Sequence, residues 1–116
     1  MFLKPIFELQ MEDSEKFIAV YLSKANRIIH YTEISSGGIT GTVVDIQLIL
    51  RHAILLNAKG ICLSHNHPSG NLSPSEADIT ITRKVKEAAK LLEISVLEHI
   101  ILVIDKYYSF ADNGLL

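Results

Sequence analysis

A short apolar run, Ile61-Cys62-Leu63-Ser64, leads directly into the polar triplet His65-Asn66-His67. A nearly continuous apolar run of this length is typical of a strand that is buried on both faces at the centre of a sheet. Alternate residues of a strand point to the same side, so His65 and His67 are expected to direct two imidazoles toward one point while Asn66 faces away. The segment therefore predicts a central strand that ends in two potential metal ligands.

A helix is predicted shortly after this strand. Ser73 is a suitable N-cap, Pro74 suits the first helical position, and Glu76 lies three residues after the cap, which together form a capping box. The helical pattern continues to about Leu92.

The rest of the chain predicts two hairpins and one further helix. Runs rich in β-branched and aromatic residues are separated by short polar turns, as expected of paired antiparallel strands. These strands are predicted at residues 17–22, 28–31, 94–104 and 107–110. Between the hairpins, apolar residues recur every three or four positions over 44–56, which predicts a helix with Asp45 near its positive end.

The order of these elements predicts an α/β fold with a mixed β-sheet flanked by two main helices. A chain of 116 residues has room for one hydrophobic core, so we expect residues 1–116 to form a single domain. In open α/β sheets, ligands bind at the carboxyl ends of strands, which is where His65 and His67 are placed.

The composition limits the possible environments and partners. The 11 Lys and Arg residues are balanced by 13 Asp and Glu residues, and this charge gives no support to direct DNA binding by the domain. Cys62 is the single cysteine, so neither an internal disulfide nor a CxxC metal site can form. No apolar stretch approaches about 18 residues, and the first residues lack the pattern of a signal peptide. We therefore expect a cytoplasmic protein without membrane contact.

A third metal ligand follows from helical periodicity. Stepping back from Val85 and Ile81/Thr82 along the apolar stripe of the second helix places Asp78 on the core-facing side. A buried carboxylate needs a cation partner, and no lysine or arginine lies between His67 and Asp78. Two imidazoles and one carboxylate with an open fourth position are the ligand set of a catalytic zinc site.

Each of these residues also has a simpler interpretation. A lone strand histidine is usually structural, and an aspartate at a helix start usually interacts with the helix dipole. The combination of His65, His67 and Asp78 favours the metal site. His99, in contrast, is interpreted as a packing or hydrogen-bonding residue rather than a fourth ligand. The basic residues Arg83, Lys86 and Lys90 are interpreted as a solvated helix face.

The stretch His65-Asn66-His67-Pro68, followed by Ser75-Glu76-Ala77-Asp78, resembles the JAMM (MPN+/JAB) metalloprotease signature. In both, ten residues separate the second histidine from the aspartate. More narrowly, the chain is similar to the bacterial RadC-like family in the residues 64–70, 74–78, 98–101 and 107–116. The resemblance implies a JAB/MPN fold, which is a three-layer, cytidine-deaminase-like architecture.

The resemblance also implies roles for individual residues. His65, His67 and Asp78 would bind one zinc ion per chain, and Ser75 would stabilise the developing oxyanion. Glu15, immediately before the first predicted strand, best matches the general base of the family. Glu12, Asp13 and Glu33 are alternatives for this role.

The function implied by the resemblance is zinc-dependent hydrolysis of an amide, peptide or isopeptide bond, on a protein or peptide substrate that the sequence does not identify. The alternative is a non-catalytic metal-binding interaction module in DNA repair or replication, since RadC-like proteins carry a DNA-repair name. Nucleobase deamination by a zinc enzyme is excluded, because it needs a Pro-Cys-x-x-Cys motif and Cys62 is the only cysteine.

Overall fold

A computed structural model describes residues 15–36 and 44–116 of the chain. This part of the protein contains a five-stranded sheet and two helices. The strands are β1 (Lys16–Leu22), β2 (Ile28–Ser36), β3 (Gly60–Asn66), β4 (Ser95–Val103) and β5 (Lys106–Ser109). The helices are α1 (Ile46–Leu55) and α2 (Glu76–Leu91).

The strand β3 lies at the centre of the sheet, whose order is β2-β1-β3-β4-β5. It pairs antiparallel with β1 and parallel with β4, and all seven of its residues are buried. The two hairpins, β1-β2 and β4-β5, form the edges of the sheet. The helix α2 supplies the crossover that a parallel β3-β4 pair requires. The predicted α/β class, the mixed sheet and the central strand are confirmed, and the fold is compatible with a JAB/MPN fold.

Both described helices pack against the same face of the sheet. The core on this face contains side chains from β1 and β3 together with Ile49 and Ala53 of α1 and Val85 and Ala89 of α2. The opposite face carries a second cluster, made of Ile18, Val20, Leu22, Cys62, Ile100 and Leu102. Because side chains alternate along a strand, His65 and His99 point to the helical side, together with Leu63 and Ile101 of the same strands.

The helix α1 begins as the sequence predicts. The Asp45 side chain accepts a hydrogen bond of 3.1 Å from the Leu48 backbone N–H, which is an N-cap interaction. One hydrogen bond ties this helix to the sheet, since the buried Tyr21 hydroxyl donates to the Ile49 carbonyl at 3.0 Å.

The predicted capping box of α2 is wrong by two residues. The N-cap is Ser75, not Ser73, and the box partner is Asp78, not Glu76. Ser75 Oγ accepts from the Asp78 N–H at 3.0 Å, and Asp78 Oδ2 accepts from the Ser75 N–H at 2.8 Å. The Ser73 N–H instead donates to Asn71 Oδ1 at 3.0 Å, so Ser73 still belongs to the preceding loop.

We expect Tyr21→Phe to lower the free energy of unfolding by about 1 kcal/mol, because it removes one buried hydrogen bond and keeps the ring. Urea denaturation monitored by circular dichroism measures this difference. Tyr107→Phe is the matched control, since the Tyr107 side chain is exposed in β5. Equal stability of the two variants would contradict a stabilising role for the Tyr21 hydroxyl.

Candidate metal centre

Two imidazoles meet at the carboxyl end of β3. His65 is buried within the strand, and His67 follows its last residue, where the His67 N–H donates to the Leu102 carbonyl at 2.8 Å. The two Nε2 atoms lie 2.9 Å apart. The structure therefore brings these two side chains to one point, as the alternation of a strand requires.

The Asp78 carboxylate lies against both imidazoles. Asp78 Oδ1 is 3.3 Å from His65 Nε2, and Asp78 Oδ2 is 3.4 Å from His67 Nε2. Burial by itself raises the pKa of Asp78, but the contacts with His65 and His67 and the hydrogen bond from the Ser75 N–H hold this pKa well below its usual range. The carboxylate is therefore ionised at neutral pH. The capping box at the start of α2 also fixes the orientation of the Asp78 carboxylate.

The proton on His67 is directed away from this cluster. His67 Nδ1 donates to the Asn71 carbonyl at 2.7 Å, so the neutral ring has its lone pair on Nε2. This lone pair points toward Asp78 and His65. The His67 Nε2 lone pair and the Asp78 carboxylate repel one another at this distance unless a proton or a cation lies between them.

Of the distances among these atoms, the two between nitrogen and oxygen suit a small divalent cation, while the distance of 2.9 Å between the Nε2 atoms is shorter. Nitrogen and oxygen ligands about 2.1 Å from a tetrahedral zinc ion are about 3.4 Å apart, and the two nitrogen–oxygen distances are close to this value. The ligand atoms of Glu15, His65 and His67 also all lie within 4.8 Å of one another. Glu15, His65 and His67 therefore form a possible metal-binding cluster, and the Asp78 carboxylate contacts both of its imidazoles.

Glu15 is positioned by the start of β1. The Lys16 N–H donates to Asn66 Oδ1 at 2.6 Å, so Asn66, which points away from the imidazole cluster, connects the end of β3 to the residue after Glu15. Phe17 pairs with His65 in the sheet, and its ring stacks on the imidazole with centroids 5.6 Å apart. Glu15 is thus held beside the imidazoles by long-range strand pairing.

Of the other candidates for the base, the structure describes only Glu33, and Glu33 lies elsewhere. Glu33 pairs with Ile18 in the sheet, on the face opposite His65, and its carboxylate lies 4.0 Å from Lys16 Nζ. Glu12 and Asp13 lie outside the described residues.

A cleft of about 530 Å³ opens over the cluster. Its walls include Glu15, Ser75 and Asp78, and it continues along α2 past Ile81 to Lys84. Ser75 Oγ accepts its capping bond from the Asp78 N–H, so its hydroxyl hydrogen remains able to donate into the cleft. The cleft therefore combines the Glu15 carboxylate, a hydroxyl donor and the possible metal-binding cluster on one accessible surface.

A buried polar pair lies behind His65. His65 Nδ1 is 2.7 Å from His99 Nε2, and His99 Nδ1 is hydrogen-bonded to Thr82 Oγ1. Complete burial lowers the pKa of His99 well below its usual value, so His99 is neutral. His99 is a hydrogen-bonding residue, as its position in the sequence predicts. The hydrogen bond of Thr82 to His99 was not predicted, because Thr82 was assigned to the apolar stripe of the helix. The sequence feature that indicates it is a hydroxyl residue one helical turn after Asp78.

The other side chains considered from the sequence lie away from this cluster. Arg83, Lys86 and Lys90 are exposed on α2. Cys62 is buried among the residues of the second cluster, and burial, followed by the Glu98 charge, raises the pKa of its thiol to about 11. No helix within residues 15–36 and 44–116 is long and apolar enough to cross a membrane.

The fold and the site define an α/β domain that carries a histidine–carboxylate cluster at the end of its central strand. A family profile for the RadC-like JAB domain matches residues 3–115, and the chain belongs to this family.

Similar proteins carry the name UPF0758. One from Flavobacterium johnsoniae is 44% identical over 101 residues, which are 87% of this chain and 44% of that protein. The UPF0758 protein YfjY of Escherichia coli K12 is 38% identical over 104 residues, 90% of this chain and 65% of that protein. One from Porphyromonas gingivalis is 42% identical over 103 residues, 88% of this chain and 45% of that protein. The chain therefore spans about half the length of most of these relatives.

We expect His67→Ala to lose metal binding, because it removes one of three converging ligands. Each protein is loaded with zinc near neutral pH and desalted, and zinc per chain is measured by mass spectrometry. His30→Ala is the matched control, since His30 is exposed in β2. We expect about one zinc per chain in the wild type and the control, and equal contents in all three proteins would refute the site.

We expect the metal-free protein to lose stability as the pH rises above about 6.5. The Asp78 contact raises the pKa of His67, against the lowering effect of burial. A raised folded-state pKa stabilises the protein fully below the unfolded value of about 6.5, and this contribution disappears as the pH rises through the folded value.

Thermal melts in a chelator between about pH 6 and 8.5 measure this effect, with His67→Ala as the variant that lacks the pair. The difference in melting temperature between wild type and variant is expected to shrink as the pH rises. A constant difference across this range would contradict the His67–Asp78 coupling.

Proposed function

We propose that this domain is a zinc-dependent metallohydrolase of the JAMM type that cleaves an amide, peptide or isopeptide bond. The observation that supports this most directly is the convergence of His65 Nε2, His67 Nε2 and the Asp78 carboxylate in an open cleft beside Glu15. Such a ligand set leaves one position for water or substrate, whereas a structural zinc has four protein ligands.

His99 is not available to close the site. Its Nε2 atom contacts His65 Nδ1, on the side of the His65 ring opposite the converging Nε2 atoms. This arrangement favours an enzyme over a closed structural site. When bound, zinc would supply a Lewis acid and lower the pKa of water at the site toward about 7.

The residues around the ligands have complementary roles in hydrolysis. Glu15 would accept the proton of the attacking water and deliver it to the leaving amine. The Ser75 hydroxyl would donate a hydrogen bond to the oxyanion that develops on the carbonyl oxygen. The capping bond from the Asp78 N–H to Ser75 Oγ supports this role, because it fixes the hydroxyl oxygen beside the ligands.

The alternative is a metal-binding interaction module without catalysis, in DNA repair or replication. The formal net charge of -2 gives no support to direct contact with DNA. The Glu15 carboxylate, which lies within 4.8 Å of the imidazole ligand atoms, would serve as the base in the hydrolase and as a fourth ligand in the module.

We expect Glu15→Gln to retain zinc and to lose cleavage activity by about 100- to 10,000-fold, because the amide cannot accept the proton of water. Zinc-loaded protein is incubated with a peptide library that contains both α-peptide and lysine isopeptide bonds, and the products are identified by mass spectrometry. Glu33→Gln is the matched control, since Glu33 lies on the opposite face of the sheet from His65.

Three results would change this conclusion. Cleavage by Glu15→Gln at the wild-type rate would refute the role of Glu15 as the base. Loss of zinc from Glu15→Gln would make Glu15 a ligand, which closes the site and favours the module. Failure of the zinc-loaded wild type to cleave any bond in the library would count against the hydrolase itself.

A further inference from the structure

A continuous series of hydrogen bonds connects two of the proposed ligands through the core. It runs from His65 Nδ1 to His99 Nε2 at 2.7 Å, from His99 Nδ1 to Thr82 Oγ1, and from Thr82 Oγ1 to the Asp78 carbonyl at 2.7 Å. His99 and Thr82 are both buried, with exposed fractions of 0% and 1%. Since water is excluded here, each of these groups depends on its neighbour for a hydrogen-bond partner.

The backbone carbonyl of Asp78 sets the direction of this series. A carbonyl oxygen can only accept, so at 2.7 Å the single hydrogen of the Thr82 hydroxyl lies between the two oxygens. Thr82 Oγ1 must then accept from the Nδ1–H of His99. The neutral His99 ring therefore has its lone pair on Nε2, where it accepts from the Nδ1–H of His65.

The opposite direction is disfavoured by the same geometry. If Thr82 donated to His99, its oxygen would face the Asp78 carbonyl oxygen at 2.7 Å with no hydrogen between them. His99 would then donate from Nε2, and the remaining hydrogen of a neutral His65 would occupy Nε2. That atom is the one aimed at His67 and Asp78, so the opposite direction blocks it as a ligand.

We propose that His99 and Thr82 are positioning residues that hold His65 in the tautomer with a free Nε2 lone pair and so prepare the site for its metal before the metal binds. This inference rests on the metal site of the proposed function but not on hydrolysis. The series also joins ligands from two segments, because it begins at His65 in β3 and ends at the backbone of Asp78 in α2.

The packing around His99 keeps its ring in the required plane. The imidazole stacks on Phe110 with centroids 4.4 Å apart and an interplanar angle of 12°, and Phe17 meets it edge-on. Rotation of the His99 ring about its Cβ–Cγ bond would break the contacts with His65 and Thr82 at once. The aromatic contacts and the hydrogen bonds therefore favour the same orientation.

The direction of the series can be measured without metal. Long-range ¹H–¹⁵N correlation spectra of metal-free, ¹⁵N-labelled wild type distinguish the two tautomers of His99. We expect the hydrogen on Nδ1. A hydrogen on Nε2 would overturn the proposal, whatever the protein binds or cleaves.

The consequence for the metal is measured with two matched variants. Thr82→Val keeps the shape of the side chain and removes the hydroxyl, whereas Thr82→Ser keeps the hydroxyl. Loss of the hydrogen-bond partner of a ligating histidine typically weakens metal affinity by about 10- to 100-fold, and Thr82→Val removes the group that orients this partner, His99. We expect Thr82→Val to weaken zinc binding by this factor and Thr82→Ser to remain within about threefold of wild type, in competition titrations with a chromophoric chelator.

The outcomes separate this inference from the proposed function. If wild type and Thr82→Val bind zinc equally well, the inference fails and the metal site stands. If the wild type binds no zinc, the metal site fails and the inference fails with it. If Thr82→Val does not fold, His99→Phe, which keeps the stacking on Phe110, replaces it in the titration, and the wild-type spectrum still tests the tautomer.

Discussion

The contact of the Asp78 carboxylate with the imidazoles of His65 and His67 joins the start of the second helix to the end of the central strand. A partly buried carboxylate must have partners, and the described part of the chain offers it two histidines rather than a lysine or an arginine. The first turn of α2 also binds this carboxylate. Its capping box uses Asp78 itself, so the same carboxylate caps the helix and faces the imidazoles.

Polar residues around this contact are arranged in support of it. The Asn71 carbonyl accepts a hydrogen bond from His67 Nδ1, and His99, itself bonded to Thr82, accepts one from His65 Nδ1. Both Nε2 atoms are thereby directed at the same point with lone pairs available. Metal ligands commonly have such hydrogen-bond partners on their second nitrogen, which fix the tautomer and the ring orientation. Hydrogen bonds at the two Nδ1 atoms therefore orient both imidazole rings of the cluster.

Membership of the RadC-like JAB domain family agrees with this site, while the names of the similar UPF0758 proteins state no activity. The hydrolase proposal therefore depends on chemistry: an open ligand set, the Glu15 carboxylate within 4.8 Å of the imidazole ligand atoms, and a hydroxyl able to donate. Because the chain spans about half the length of most of these relatives, the substrate and partners of a whole protein of this family are a separate question.

Local sequence periodicity determined much of the fold. The alternation in β3, the three-to-four repeat in the helices and the turn residues between strands predicted the element order and the central position of β3. The i and i+2 spacing of His65 and His67 and the helical stripe that includes Asp78 also predicted the candidate ligands. These features act over a few residues, where the chain geometry alone relates one side chain to the next.

Tertiary structure decided the features that depend on distant segments. The sequence predicted Ser73 as the N-cap of α2, whereas the helix is capped by Ser75 and Asp78, and Asp78 also contacts His65 of β3. Only the family resemblance favoured Glu15 over Glu33, whereas strand register places them on different sides, with a hydrogen bond across 50 positions from Lys16 to Asn66. The His65–His99 and His99–Thr82 bonds span 34 and 17 positions. No local pattern encodes such contacts, because they exist only after the core has packed and excluded water from these polar groups.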